Sequence, residues 1–162
     1  MHFSLDEIEN GEQFEELIVA YFKGMKKDVT SVKVQASGTG TDGGRDILVE
    51  FTVDDNIETF LRRWVIQCKF HDSDISTNKI ADINIPSLIH SYNASGYLLI
   101  CKKRPTSKLT DFFERLELNC SFKYKYKIWS GEQLKNLILG TENTLWQQFF
   151  PKYYEFFKRN LS

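Results

Sequence analysis

The chain has 162 residues, 41% of them hydrophobic, 14% aromatic and 27% charged, with a formal net charge of −1. That suffices for one domain with a real core and is too short for two comfortable ones, and no apolar run approaches the roughly 18 residues that cross a bilayer. The N-terminus, MHFSLDEIENGEQ, is acidic where a signal peptide is basic and then apolar, so the expectation is a cytoplasmic protein without membrane contact.

Phe14, Leu17, Ile18, Tyr21 and Phe22 recur at helical spacing and predict a helix from about Glu12 to Met25 with one buried stripe. Glu15 falls on the edge of that stripe, either capping the core or aimed at a site, while Glu12 and Glu16 point away. Val29 to Ala36, with Val32 and Val34 in alternation, predicts a strand leading into GTGTDGG, residues 38–44. Such a loop cradles phosphate when it opens a helix; this one opens a strand, which removes the nucleotide-binding reading. Its glycines let the backbone turn sharply, and Asp42 reads as a turn former.

Two runs rich in β-branched and aromatic residues, 47–53 and 64–70, predict a β-hairpin around the polar excursion TVDDNIETFLR. Side chains alternate along strands, so Asp46, Leu48 and Glu50 share one face and Val65, Gln67 and Lys69 share one on the partner strand. A carboxylate, an amide and an ammonium can therefore meet on one face. A mid-strand lysine facing an apolar core is costly, which marks the cluster as a candidate site.

His71 to Asp74 read as a polar surface loop. Asn78 to Ala94 is helical by pattern, kinked or reopened at Pro86. Tyr97 to Cys101, YLLIC, is a buried strand, and strand, helix and strand in succession predict a right-handed crossover and a parallel pair. Lys102, Lys103 and Arg104 follow at the strand end where α/β proteins place ligands, and read either as a DNA-binding cluster or as a solvated turn. Thr106 to Leu118 predicts a helix with Ser107 as cap. Tyr124 to Trp129 predicts an edge strand guarded by Lys125 and Lys127. Ser130 to Leu139 predicts a helix capped by Ser130 and ended by Gly140.

Residues 141–162 form an aromatic helical extension that packs back on the core or meets a further domain. Cys68, Cys101 and Cys120 lack metal-ligand spacing and read as reduced thiols. The charge is uneven: residues 1–101 carry 9 basic against 16 acidic side chains, and residues 102–162 carry 12 against 6. Excess cations in the second half suit a phosphate-binding face or a solvated lysine-rich surface.

An acid opening one strand, with Gln67-Cys68-Lys69 on the next, resembles the PD-(D/E)XK nuclease superfamily, and more closely its Mrr-type branch, in which the tripeptide is Q-x-K. Asp42-Gly43-Gly44-Arg45-Asp46 matches the D-G-G-x-D motif of that branch, and Gly11-Glu12-Gln13-Phe14-Glu15 matches its G-x-x-F-E motif. The three arrive in the family's order. The resemblance implies an α/β domain over residues 1–140 with a restriction-endonuclease-like core, a mixed β-sheet flanked by α-helices.

It further implies a metal-dependent endodeoxyribonuclease using Mg²⁺, for which Mn²⁺ substitutes. Asp46 is then the central metal ligand, the Gln67 side-chain oxygen replaces the second strand acid, and Glu15 restores the missing charge. Of Cys68 only the backbone carbonyl reaches the metal, and Lys69 orients or deprotonates the attacking water. The implied partner is double-stranded DNA. The branch usually forms one module of restriction or anti-phage defence proteins, which implies a homo-oligomer or fusion to a sensor or recognition domain. A catalytically silent DNA-binding or assembly module and a Holliday-junction resolvase or repair nuclease are the alternatives.

Overall fold

The computed structural model describes residues 1–25, 29–35, 45–120 and 123–161. The Gly-rich stretch 38–44, with Asp42, lies outside the described residues. Five strands form one sheet whose spatial order repeats their order in the chain. β1 (Val29–Gln35), β2 (Asp46–Asp54) and β3 (Thr59–Lys69) are antiparallel neighbours, and β4 (Gly96–Cys101) and β5 (Lys125–Trp129) continue the sheet in parallel from β3. The sheet is therefore mixed, as the hairpin followed by a crossover predicts.

The polar excursion between β2 and β3 is mostly strand rather than loop. Thr52↔Leu61, Val53↔Phe60 and Asp54↔Thr59 remain paired, and only residues 55–58 turn. Polar side chains suit a two-stranded ribbon with solvent on both faces. The Asp55 carboxylate accepts the Ile57 and Glu58 N–H groups at 2.9 Å each, and Asn56 takes φ 69°, a conformation asparagine tolerates.

Among the described residues there are six α-helices: α1 (Gly11–Lys23), α2 (Ile85–Ser91), α3 (Ser107–Asn119), α4 (Gly131–Leu139), α5 (Asn143–Phe149) and α6 (Pro151–Leu161). α1, α4, α5 and α6 cover the sheet face carrying Ile47, Val49, Ile66, Cys68, Leu98 and Ile100. α2 and α3 cover the other, with Leu48, Val65, Tyr97, Leu99 and Cys101. No described helix is long and apolar enough to cross a membrane.

The helical stretch expected over 78–94 does reopen at Pro86, but its first part is shorter than expected. Thr77–Ile80 is a 3-10 turn, and α2 starts afresh at Ile85, where the Asn84 side chain accepts the Ser87 N–H at 3.1 Å and Pro86 fits the first turn. The cap of α3 is Thr106, one residue before the expected Ser107. Ser130 does cap α4, in a reciprocal box with Gln133. The expected cysteine state holds among the described residues: all three are free thiols, and Cys68 and Cys101 are buried.

The aromatic tail packs onto the core because Pro151 divides it into two helices. Trp146, Phe149 and Phe150 enter the α1-side core, with the Phe150 ring 4.3 Å from that of Phe3. The Glu7 carboxylate then accepts the Lys152 and Tyr153 N–H groups at 2.9 and 3.0 Å, satisfying orphan donors at the start of α6. One chain end thus caps the other.

Candidate active site

Alternation along β2 and β3 places Asp46, Gln67 and Lys69 on the face covered by α2 and α3, beside the core residues Leu48 and Val65. Asp46 is fully buried and Gln67 nearly so. Asp46 Oδ1 accepts from Gln67 Nε2 at 2.7 Å, Asp46 Oδ2 accepts from the Tyr92 hydroxyl at 2.9 Å, and the Tyr97 hydroxyl donates to Gln67 Oε1 at 2.6 Å. Burial pushes the Tyr97 hydroxyl pKa well up, with the Asp46 charge adding to it. Burial, then the Asp46 hydrogen bond, raise that of Tyr92. Both tyrosines are donors at neutral pH.

Among the described residues, then, the partners of the Asp46 carboxylate are two neutral donors and no cation. A buried anion without an opposing charge is expensive, and each of its oxygens retains a further lone pair. That donor chemistry fits a hard divalent cation. The carbonyls of Arg63 and Lys69 bond toward β4 and its flanks, to the Ser95 and Lys102 N–H groups, so strand alternation turns the Cys68 carbonyl to the β2 side. The described pairing of β2 with β3 ends at Ile47↔Ile66, before Cys68. No cluster of three or more His, Cys, Asp or Glu side chains among the described residues is placed to hold a metal. The oxygens on offer are one carboxylate and a carbonyl, a set that suits Mg²⁺ with its retained waters.

Lys69 closes β3 on the same face, half-buried. The β3–β4 register sets Lys69 beside Cys101, whose thiol is pushed up by burial to about 12 with the Lys69 ammonium pulling against that shift.

Glu15 is not brought to this face. It is 1% exposed on α1, on the opposite side of the sheet, where its Oε2 accepts from Arg45 Nε at 2.5 Å. Burial raises its pKa and Arg45 opposes the shift. Arg45 and Asp46 are consecutive at the entry to β2, so their side chains leave on opposite faces, and Arg45 takes the partner expected for the Asp46 metal. Glu15 Oε1 has no hydrogen-bond partner among the described residues. The Gln67 oxygen expected to face metal is likewise engaged, by Tyr97.

Lys102 does not form a solvated cluster with Lys103 and Arg104. Its Nζ lies 2.6 Å from Asp72 Oδ1, 3.3 Å from Asp6 Oδ1 and 4.5 Å above the Phe70 ring, with the side chain 6% exposed. The end of β4 is pinned by Asp6 from the 3-10 turn Leu5–Glu7 and by Asp72 from the loop after β3, which consumes this cation internally. Lys103 and Arg104 line a cleft of about 380 Å³ together with Asp74, Glu132 and Lys135, so both signs of charge face it.

Sequence reasoning missed Tyr92 and Tyr97. A signal existed for Tyr97: it is the one residue of YLLIC carrying a hydroxyl, and the register Val65↔Tyr97, Gln67↔Leu99 puts it on the Gln67 face. Tyr92 ends a helix whose boundaries depend on the Asn84 cap, and no pattern pointed to it.

A family model for the Mrr-type catalytic domain, described as restriction endonuclease, matches residues 5–138. None of the curated proteins matches the chain. Among solved structures it is similar to the DNA modification-dependent restriction endonuclease AspBHI, at 8% identity and a TM-score of 0.44, over 85% of this chain and 38% of that one. It is also similar to the MspJI restriction endonuclease in complex with a 27-mer oligonucleotide, at 14% identity and a TM-score of 0.49, over 77% of this chain and 27% of that one. The chain spans well under half the length of either.

Proposed function

Because the chain belongs to the Mrr-type restriction endonuclease family, we propose that this nuclease domain is a metal-dependent endodeoxyribonuclease and the effector module of a restriction or anti-phage defence protein. The observation that carries the reading is the buried Asp46 carboxylate, held by neutral donors alone among the described residues, with Lys69 on the same face. Asp46 and the Cys68 carbonyl are the residues that would hold Mg²⁺ or Mn²⁺. Such an ion supplies Lewis-acid stabilisation of a phosphoryl oxygen and a water nucleophile at neutral pH.

Lys69 orients the attacking water and stabilises charge developing on the scissile phosphate, a task for which an adjustable ammonium suits better than a guanidinium. Glu15, through Arg45, anchors the entry to β2 from the α1 side and so fixes where Asp46 begins. Double-stranded DNA is the substrate, with Lys103 and Arg104 as phosphate contacts and a homo-oligomer or a fused sensor domain controlling access. The second reading is a catalytically silent DNA-binding module. The separation of Glu15 from Asp46 favours it.

Supercoiled plasmid nicking separates the two. The purified domain is assayed over a concentration series with Mg²⁺, Mn²⁺ or EDTA, beside Asp46→Ala and Lys69→Ala, with DNA affinity measured in parallel. The nuclease reading expects metal-dependent nicking that both variants lose. DNA binding without cleavage in either metal, at every concentration, would overturn it in favour of the silent module.

A further inference from the structure

Tyr97 has no packing reason to be a tyrosine. Its side chain is fully buried, with its ring 6.0 Å from that of Phe113, and phenylalanine would fill nearly the same space without a hydroxyl to satisfy. The hydroxyl is used, donating to Gln67 Oε1 at 2.6 Å. That bond holds the amide oxygen in place, while the Asp46 carboxylate, which can only accept, sets which way the amide points. With its oxygen held by a donor, Gln67 presents its NH₂ group to Asp46 Oδ1 at 2.7 Å. The reversed amide would press an acceptor against an ionised carboxylate, which has no hydrogen to offer. Tyr92, from the end of α2, takes the other carboxylate oxygen.

We infer that Tyr92 and Tyr97 are positioning residues for the Asp46 carboxylate, and that Gln67 works with them as a donor to Asp46, not as a metal ligand through its side-chain oxygen. The inference rests on the nuclease reading above. Two donors on different oxygens fix the plane of the carboxylate and leave one lone pair on each for a cation. Tyr97 acts one bond further out, through Gln67. Partners of this kind typically contribute roughly 10- to 100-fold to metal affinity without touching the metal.

The test is a Mn²⁺ titration of the wild-type chain, Tyr97→Phe, Tyr92→Phe and Asp46→Ala, followed by the EPR signal of free Mn²⁺, with thermal unfolding run on each protein. A structural role alone would move the unfolding midpoint and leave the Mn²⁺ affinity of the folded protein unchanged. The expected result is binding abolished in Asp46→Ala and weakened roughly 10-fold or more in each tyrosine variant. If the Gln67 oxygen were a ligand held back by Tyr97, releasing it in Tyr97→Phe would tighten binding, so equal or tighter binding there overturns the inference. Should Tyr97→Phe fail to fold, Tyr92→Phe at the rim carries the same decision, unchanged affinity overturning it. Wild-type protein that takes up no Mn²⁺ would sink the nuclease reading and this inference with it. Binding by wild type that Tyr92→Phe and Tyr97→Phe match sinks the inference alone.

Discussion

Gly131 opens α4 directly against the end of β4. Its N–H donates to the Lys103 carbonyl at 2.9 Å, and a Cβ added there would lie 1.9 Å from the Lys102 carbonyl oxygen and 2.8 Å from its carbon. Backbone stands on both sides, so no side-chain rotation relieves the clash, and α4 must retreat by about 1 Å or more to restore van der Waals distance. Gly131→Ala therefore costs about 1–3 kcal/mol for overpacking and about 1 kcal/mol for the strained hydrogen bond. The better helix propensity of alanine returns at most about 1 kcal/mol. The net is about 2 kcal/mol, which for a chain of this size lowers the unfolding midpoint by about 4–8 °C. Thermal unfolding followed by circular dichroism measures it, with a urea titration showing a lower midpoint at an unchanged slope. An unchanged midpoint would refute the close approach of α4 to β4.

Removing residues 141–162 strips Trp146, Phe149 and Phe150 from the α1-side core, together with the Trp146 indole bond to the Ile138 carbonyl at 2.8 Å. Chain 1–140 is therefore expected to lose cooperative unfolding and bind ANS, and a sharp unfolding transition would show the extension to be dispensable. Lys102 sets an acid-side dependence. Its hydrogen bonds hold the Asp6 and Asp72 pKa values below the ordinary 3.8, so their contribution is complete above that value and is lost as pH falls through the lowered folded values. In Lys102→Met that loss disappears, and urea midpoints taken between about pH 5 and about pH 3 should fall less steeply than in wild type. Parallel slopes would count against the pairing. Burial lowers the Lys102 pKa, but Asp72 and Asp6 outweigh it and the net shift is upward, so the alkaline loss begins only as pH rises past 10.5.

The sheet was legible because its strands announce themselves by period: Val32 and Val34, Asp46 to Phe51 and YLLIC each fix a face without reference to the rest of the fold. The pairing of Asp46 with Gln67 followed from the same alternation. The position of Glu15 did not, because a helical stripe says which side of a helix is buried and not which face of the sheet receives it. Deciding that required Arg45, whose guanidinium reaches α1 once Asp46 has turned the other way. Lys102 misled for a related reason. In sequence it stands with two other cations, and only the fold brings Asp6 and Asp72, 96 and 30 residues away, to its ammonium. The aromatic tail looked too apolar for one helix and was, since Pro151 makes it two.

Strands that neighbour one another in space in the order of the chain also set an order of assembly. The hairpin that pairs Asp46 with Gln67 is complete in sequence at Lys69, whereas Tyr97 arrives on β4, which ends at Cys101. At ordinary translation rates of about 5–20 residues per second those 32 residues take about 2–6 s. A ribosome-bound chain thus carries the carboxylate and its amide before either tyrosine, and on the positioning inference the cleavage centre matures only when the parallel half of the sheet closes over it. On that same inference, a translation product ending before Tyr92 would hold the acid without either hydroxyl and would bind a divalent cation more weakly than the full sheet does.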